Sequence, residues 1–377
     1  MNKIMEKPFE YLVRRENGMK FEEEIVRNWY IARSYILERL KDVAFKPNST
    51  EHLHFLIMKD TPRMLCLVRQ IALSSHFINY DEENEIASLR NRTVITIVSQ
   101  NPYIKVELEK EEYLCNLPKY CKYVEGALQT ENEDSYIDIE IQIIPEASEE
   151  EKAKCDYVFS EEDLKEFCKQ KALEGTDIYS IDTRKAIYTR RIYSLGTIID
   201  DLPAEDIHNV SRYALALNAY QYHRLKEEPM PLMDENNLNN QTKVKETLSN
   251  IFCSDCFESR NLSIKLCCNG DKRRETALWK ENNMSLSKSE HARWVVEKLI
   301  MGYSPFDEQQ RFKDESLSYD IRKKAQYRKA LKNNDRAPSH IDLCSYRDLR
   351  RINPNDMKYD SFLMLAIPMI LKKVNNE

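Results

Sequence analysis

Leu53-His54-Phe55-Leu56-Ile57-Met58, followed by Lys59-Asp60-Thr61-Pro62-Arg63-Met64, is the stretch on which the fold turns. A short apolar run, the pattern of a buried strand, stops at a charged turn. Thr61-Pro62 then opens a helix, since a hydroxyl can cap it and proline's fixed φ suits the first turn. Leu65, Leu67, Val68, Ile71 and Ala72 continue it at helical spacing. His76-Phe77-Ile78-Asn79-Tyr80 reads as a second strand, and β-branched Thr93-Val94-Ile95-Thr96-Ile97-Val98 as a central one. Residues 103–114 read as helical. From Tyr136 to Ile144, isoleucines at 137, 139, 141 and 143 alternate with Asp138, Glu140 and Gln142, which predicts a half-exposed strand at an edge. This order is the start of a Rossmann-like open parallel sheet with right-handed crossovers.

Upstream, Ile25, Trp29, Ala32, Tyr35, Ile36 and Leu40 recur at helical spacing between Lys20 and Ala44. Trp29 and Tyr30 make this helix a candidate partner surface or dimer seam. Downstream of 148, strands are expected to give way to helices at 160–174, 180–200, 206–226 and 241–256. The fold class is therefore α/β plus α. An N-terminal helical segment (1–50) precedes the sheet (51–147), and a helical region (148–284) precedes a mainly α module (285–377).

Composition narrows the function. Of 377 residues, 42% are hydrophobic and 10% aromatic, too apolar for a disordered chain. The longest apolar run, Phe362 to Leu371, contains Pro368 and reaches about half of a membrane span. The first residues offer no signal-peptide apolar core, and ten cysteines in an unexported chain read as reduced thiols, so a cytoplasmic protein is expected. Thirteen acids and two lysines lie between Glu131 and Asp163, whereas Arg311 to Arg351 holds twelve Lys or Arg against six acids. A net charge of −6 argues against a dedicated nucleic-acid binder but leaves a local phosphate site open in the basic block.

The six glycines each stand alone, so no Gly-x-Gly-x-x-Gly turn and no Walker-type loop exists. A bound nucleotide would have to be held by side chains. Residues 51–99 nevertheless resemble the nucleotide-binding TrkA-N or RCK domains that gate potassium channels and transporters. That resemblance implies a ribose-binding role for Asp81 and a phosphate contact for Arg63, although Asp60 would place negative charge beside a pyrophosphate. Cys253, Cys256, Cys267 and Cys268 are poorly spaced for a zinc ribbon, and no nucleophile elbow or metalloprotease helix occurs, so neither a metal nor a catalytic centre is expected.

The C-terminal module carries the most specific pattern. Ser287 with Glu290 reads as a capping box, and Gly302 sits where a left-handed helix end is wanted. Ala292, Val296, Leu299 and Tyr303 form a core stripe; His291, Trp294 and Lys298 lie beside it. Ser289-Glu290-His291-Ala292-Arg293-Trp294 through Glu297-Lys298 to Gly302-Tyr303, with His340-x-x-Leu343-x-x-Tyr346-x-x-Leu349, resembles the RyR domain repeated in ryanodine receptors and found in bacterial proteins. The family's proline after the histidine is Ile341 here, and the loop over 306–338 is longer and more basic. Residues 213–249 distantly echo the same plan.

Two readings of the tryptophan stay open: core packing, or a purine stacked on Trp294 while neighbouring cations hold phosphate. The second makes Glu290, His291, Arg293, Trp294, Lys298, His340, Tyr346 and Arg350 a site for a nucleotide or ADP-ribose-like ligand. Substituting Trp294 and Arg293 should then abolish binding without unfolding the chain. The resulting expectation is a non-catalytic sensor, with self-association or a membrane-channel or bacterial defence partner open to it. A nucleosidase-like enzyme using Asp60 or Asp81 is the competing reading.

Overall fold

The computed structural model describes residues 23–80, 91–126, 128–130, 136–160, 177–180, 192–194, 213–214, 216–217, 220–221, 244–334 and 336–375. Asp81 and most of the helix expected over 160–174 lie outside them.

The quoted stretch forms β1 (His54–Ile57) and α2 (Pro62–Ser74). Thr61 is the N-cap, its side chain accepting from the Met64 amide, and Pro62 opens the first turn. After α1 (Glu23–Leu40), β1 and α2 come β2 (Thr93–Val98), α3 (Ile104–Leu108), α4 (Leu117–Tyr120), β3 (Lys122–Glu125), β4 (Leu128–Thr130), β5 (Ile139–Ile144), α5 (Glu149–Lys154), β6 (Tyr157–Ser160), β7 (Asp177–Ser180) and β8 (Ile192–Ser194). Among the described residues they form one sheet, ordered β4-β3-β5-β2-β1-β6-β7-β8. All neighbours pair in parallel except β3 with β4. The chain moves one way from β1 to β2 and the other way from β6 outward, so the switch point lies between β1 and β6.

Three expectations need correction. Residues 76–80 form no strand, because both edges of β1 are filled by β2 and β6. β5 is interior, between β2 and β3; its alternation reports the two faces of the sheet, not an edge. Strands also persist beyond 148: β6, β7 and β8 extend the sheet where a helical middle was expected, and β7 and β8 fall at or within the ends of the 180–200 helix. Pairing along the free edge of β6 outweighs local helical spacing.

One face of the sheet is apolar. Phe55, Ile57, Ile95, Ile97, Ile139, Ile141 and Phe159 share a core with Met64, Leu67, Val68 and Ile71 of α2. The opposite face carries a polar row in which His54 Nε2 lies 2.8 Å from Thr96 Oγ1, and Thr96 donates to Gln142 at 3.3 Å. Buried Trp29, Ala32, Tyr35 and Ile36 of α1 belong to the apolar core, with the Arg69 guanidinium 4.3 Å from the Trp29 ring. That face of α1 is occupied by its own chain, so Trp29 does not form a partner surface.

The C-terminal half comprises α6 (Val244–Asp255), α7 (Phe257–Cys267), α8 (Glu275–Glu281), α9 (Asn283–Ile300), β9 (Ser304–Pro305), α10 (Glu308–Ser316), α11 (Ile321–Lys332), β10 (Ser339–His340), α12 (Tyr346–Ile352) and α13 (Pro354–Asn375). It is not a separate globule. Val295, Val296, Leu299 and Ile300 of α9 lie in the same core as the sheet. The Ser289 hydroxyl donates to the His76 carbonyl at 2.9 Å, and Asn116 Nδ2 to the Gly302 and Tyr303 carbonyls. No described helix is long and apolar enough to cross a membrane. All nine cysteines among the described residues are free thiols.

Candidate functional site

α9 organises the candidate site. It starts four residues before the expected cap, and Ser287 instead back-bonds to the Asn283 carbonyl within the helix. Its end is as expected: Gly302 adopts φ +87°, with Gly302 N–H donating to Leu299 and Tyr303 N–H to Lys298. The stripe of Ala292, Val296, Leu299 and Tyr303 is buried. From Ser285 to Ile300 every residue is buried except Trp294, which is half-buried.

Glu290 and Arg293 belong to an internal ion network. The Arg293 guanidinium meets Glu290 at 2.8 Å and Glu297 at 2.7 Å. Arg260 of α7 meets Glu290 at 2.9 Å, Lys298 meets Glu297 at 2.5 Å, and the Ser249 hydroxyl donates to Glu297. Arg260, Arg293 and Glu297 are 0% exposed, so solvent screens none of their pairs. Burial alone would raise the Glu290 carboxyl, but Arg293 and Arg260 together hold it at about 2. The expectation that Arg293 holds a ligand therefore needs correction: its charge is committed inside the fold. Arg260, thirty positions from Glu290, gave no local signal in the sequence.

Five of the anticipated residues do converge. Trp294 stacks beside His291 with centroids 6.1 Å apart, meets His340 edge-on at 5.1 Å, and has Lys298 Nζ 5.7 Å from its centroid. Tyr346 meets His291 edge-on at 5.6 Å. β9 pairs with β10 to hold His340 at the end of a two-residue strand, and α12 is capped by Ser345 just before Tyr346. Arg350 is exposed one turn further along α12. Arg63 is half-buried in the first turn of α2, in the other half of the chain.

The two imidazoles differ in charge. His291 Nε2 donates to the Cys344 carbonyl at 2.9 Å, and its Nδ1 lies 3.5 Å from Asp360 of α13. Burial works against its protonation, but the Asp360 carboxylate and Cys344 carbonyl raise it to about 10. His340 is lowered to about 3 by burial, then by Lys332, Lys298, Arg328 and His291. Its Nδ1 accepts from the Asp342 amide at 3.2 Å, as a neutral ring can. Asp342 is itself raised, by burial and by Asp356 nearby. At neutral pH the indole thus sits between one cationic and one neutral imidazole.

A pH dependence follows. His291 binds its proton more tightly folded than unfolded, so its contribution to stability is complete below about pH 6.5 and is lost as pH rises toward 10. Denaturation midpoints should fall between pH 6.5 and about 7.5, below the range where thiols exposed by unfolding titrate. In His291→Gln that part of the profile should be shallower, with Asp342 supplying slope of its own; an equal slope in both proteins would refute the assignment.

At the sheet's switch point the loop after β1 is tied to the loop after β2. Asp60 accepts the Ser99 hydroxyl at 2.5 Å, and Ser99 Oγ in turn accepts the Asn101 amide. With Thr61 capping α2, the turn that cradles a pyrophosphate in dinucleotide-binding folds is tied here to the end of β2. Among the described residues no group of three or more His, Cys, Asp and Glu is placed to hold a metal ion.

Comparisons with protein-family models, with curated proteins and with solved structures find no match to this chain.

Proposed function

We propose that the chain is a non-catalytic ligand-sensing protein whose C-terminal RyR-like module binds a small anionic, nucleotide-derived ligand against Trp294. One observation carries the reading: on a helix otherwise buried from Ser285 to Ile300, the indole alone keeps an open portion, and it does so beside cationic His291. An aromatic face next to a fixed positive charge suits a base that stacks and a phosphate that pairs. Lys298 adds less, because Glu297 holds its ammonium.

Two connections would transmit occupancy. His291 links α9 to α13 through Asp360, and α9 shares its core with the sheet. A ligand with unequal affinity for two arrangements of these elements would shift their populations.

Calorimetric titration of the full chain with AMP and with ADP-ribose tests the reading. Saturable binding is expected for at least one, weakened about tenfold or more in Trp294→Ala, in line with the loss of a stacked base. Flat isotherms with both nucleotides, or unchanged affinity in the variant, would count against the site. Conversion of either nucleotide to product would favour the nucleosidase-like reading instead.

A further inference from the structure

The hairpin of α10 and α11 stands apart from the rest of the fold in two respects. α11 has no buried residue, carries Arg322, Lys323, Lys324, Arg328, Lys329 and Lys332, and contains no acid. The chain around its turn holds Tyr319, Ile321 and Phe312 at 100%, 81% and 75% exposed, the highest values for large hydrophobic side chains among the described residues. An ordinary solvated helix has the first property without the second.

The helix has two distinct sides. Lys324, Tyr327, Arg328 and Leu331, at i, i+3, i+4 and i+7, are its half-buried stripe, facing α10, Phe306 and β10. There Arg328 grips Asp314 of α10 at 2.6 and 2.8 Å, and Lys324 reaches the same carboxylate at 3.2 Å. This pairing fixes the hairpin. It leaves Ile321, Arg322, Ala325, Lys329 and Lys332 together on the exposed side, basic along the helix and apolar at the turn.

We infer that this hairpin docks the protein peripherally onto an anionic lipid surface, with Tyr319, Ile321 and Phe312 entering the headgroup region and Arg322, Lys329 and Lys332 lying over it. Charge complementarity accounts for the basic side, because anionic leaflets attract such cations over a Debye length. The apolar turn favours a membrane over a nucleic acid: phosphates would satisfy the cations and a base would stack on tyrosine, but exposed isoleucine gains little there and much from hydrocarbon.

Flotation of the full chain with phosphatidylcholine vesicles, with and without phosphatidylserine, tests the inference. Binding is expected only with the anionic lipid, at least about tenfold above the neutral vesicles, and weakened by salt. Two surface variants whose melting curves match the wild type, Arg322→Glu with Lys329→Glu and Tyr319→Ser with Ile321→Ser, should each lose it. The inference is overturned if the wild type fails to float, if it floats equally with neutral lipid, or if either variant floats as the wild type does. Retention of single-stranded or duplex oligonucleotide with no vesicle binding would equally overturn it, identifying the partner as nucleic acid.

Discussion

Replacing Arg293 by methionine should lower the free energy of unfolding by about 3–5 kcal/mol, the usual consequence of removing one partner from a buried ion network. The guanidinium bridges Glu290 and Glu297, both with side chains at most 2% exposed, so its loss leaves each carboxylate with a single cation. Arg293→Lys should recover only part of this, because one ammonium cannot reproduce the fork that faces both acids. The measurement is the urea midpoint of the full chain at neutral pH, repeated at high salt. Surface pairs such as Lys154 with Glu150 fade under screening, whereas this loss should persist.

The acid limb adds a second readout. Glu290, held near 2 when folded against 4.5 as its ordinary value, contributes stability that is present above about pH 4.5 and is lost as pH falls toward 2. In Arg293→Met the acid transition should move to higher pH. A change in stability below about 1 kcal/mol would mean that the network does not hold the fold. It would also return Arg293 to the candidates for ligand binding.

Replacing Asp138 by alanine is expected to cost about 3 kcal/mol. Its carboxylate, at the N-terminal end of β5, lies 2.9 and 3.0 Å from His76 Nδ1 and accepts the Tyr80 hydroxyl at 2.8 Å. His76 Nε2 meets the Ala72 carbonyl at 2.8 Å, so both ring nitrogens face acceptors. The alanine variant strands an imidazole and a phenol in a dry site. Asp138→Asn keeps an acceptor and should cost roughly 1 kcal/mol. Thermal melts of the two variants measure the difference; equal losses would show that backbone geometry, not the carboxylate, matters here. Because Ser289 donates to the His76 carbonyl, amide exchange in α9 should also quicken in Asp138→Ala.

Two local patterns were read correctly, whereas the Ser287 capping box was not, because the helix starts at Asn283. Thr61-Pro62 starts a helix because the cap and the fixed φ act within one turn, and Gly302 ends one because only the adjacent carbonyls are involved. Ala292, Val296, Leu299 and Tyr303 are buried as helical spacing predicts, but tertiary packing buries the rest of the helix with them, apart from Trp294, from Ser285 on. At i,i+3 and i,i+4 spacing, Glu290–Arg293 and Arg293–Glu297 would by themselves be helix pairs worth tenths of a kcal/mol; Arg260 and the packed core make them a buried network. His76–Tyr80 has strand composition, yet the His76 and Tyr80 side chains turn to Asp138 and the backbone stays out of the sheet.

The amino-acid order by itself determined a parallel α/β core, the central strand Thr93–Val98 and the principal C-terminal helix. Those features depend on periodicity and short-range capping, which neighbouring residues specify. Tertiary structure alone decided that β5 is interior, that β6 to β8 extend the sheet, that α1 covers its own core and that Arg293 faces inward. Each of these depends on which distant surface fills an edge or meets a charge, and sequence spacing does not encode that distance.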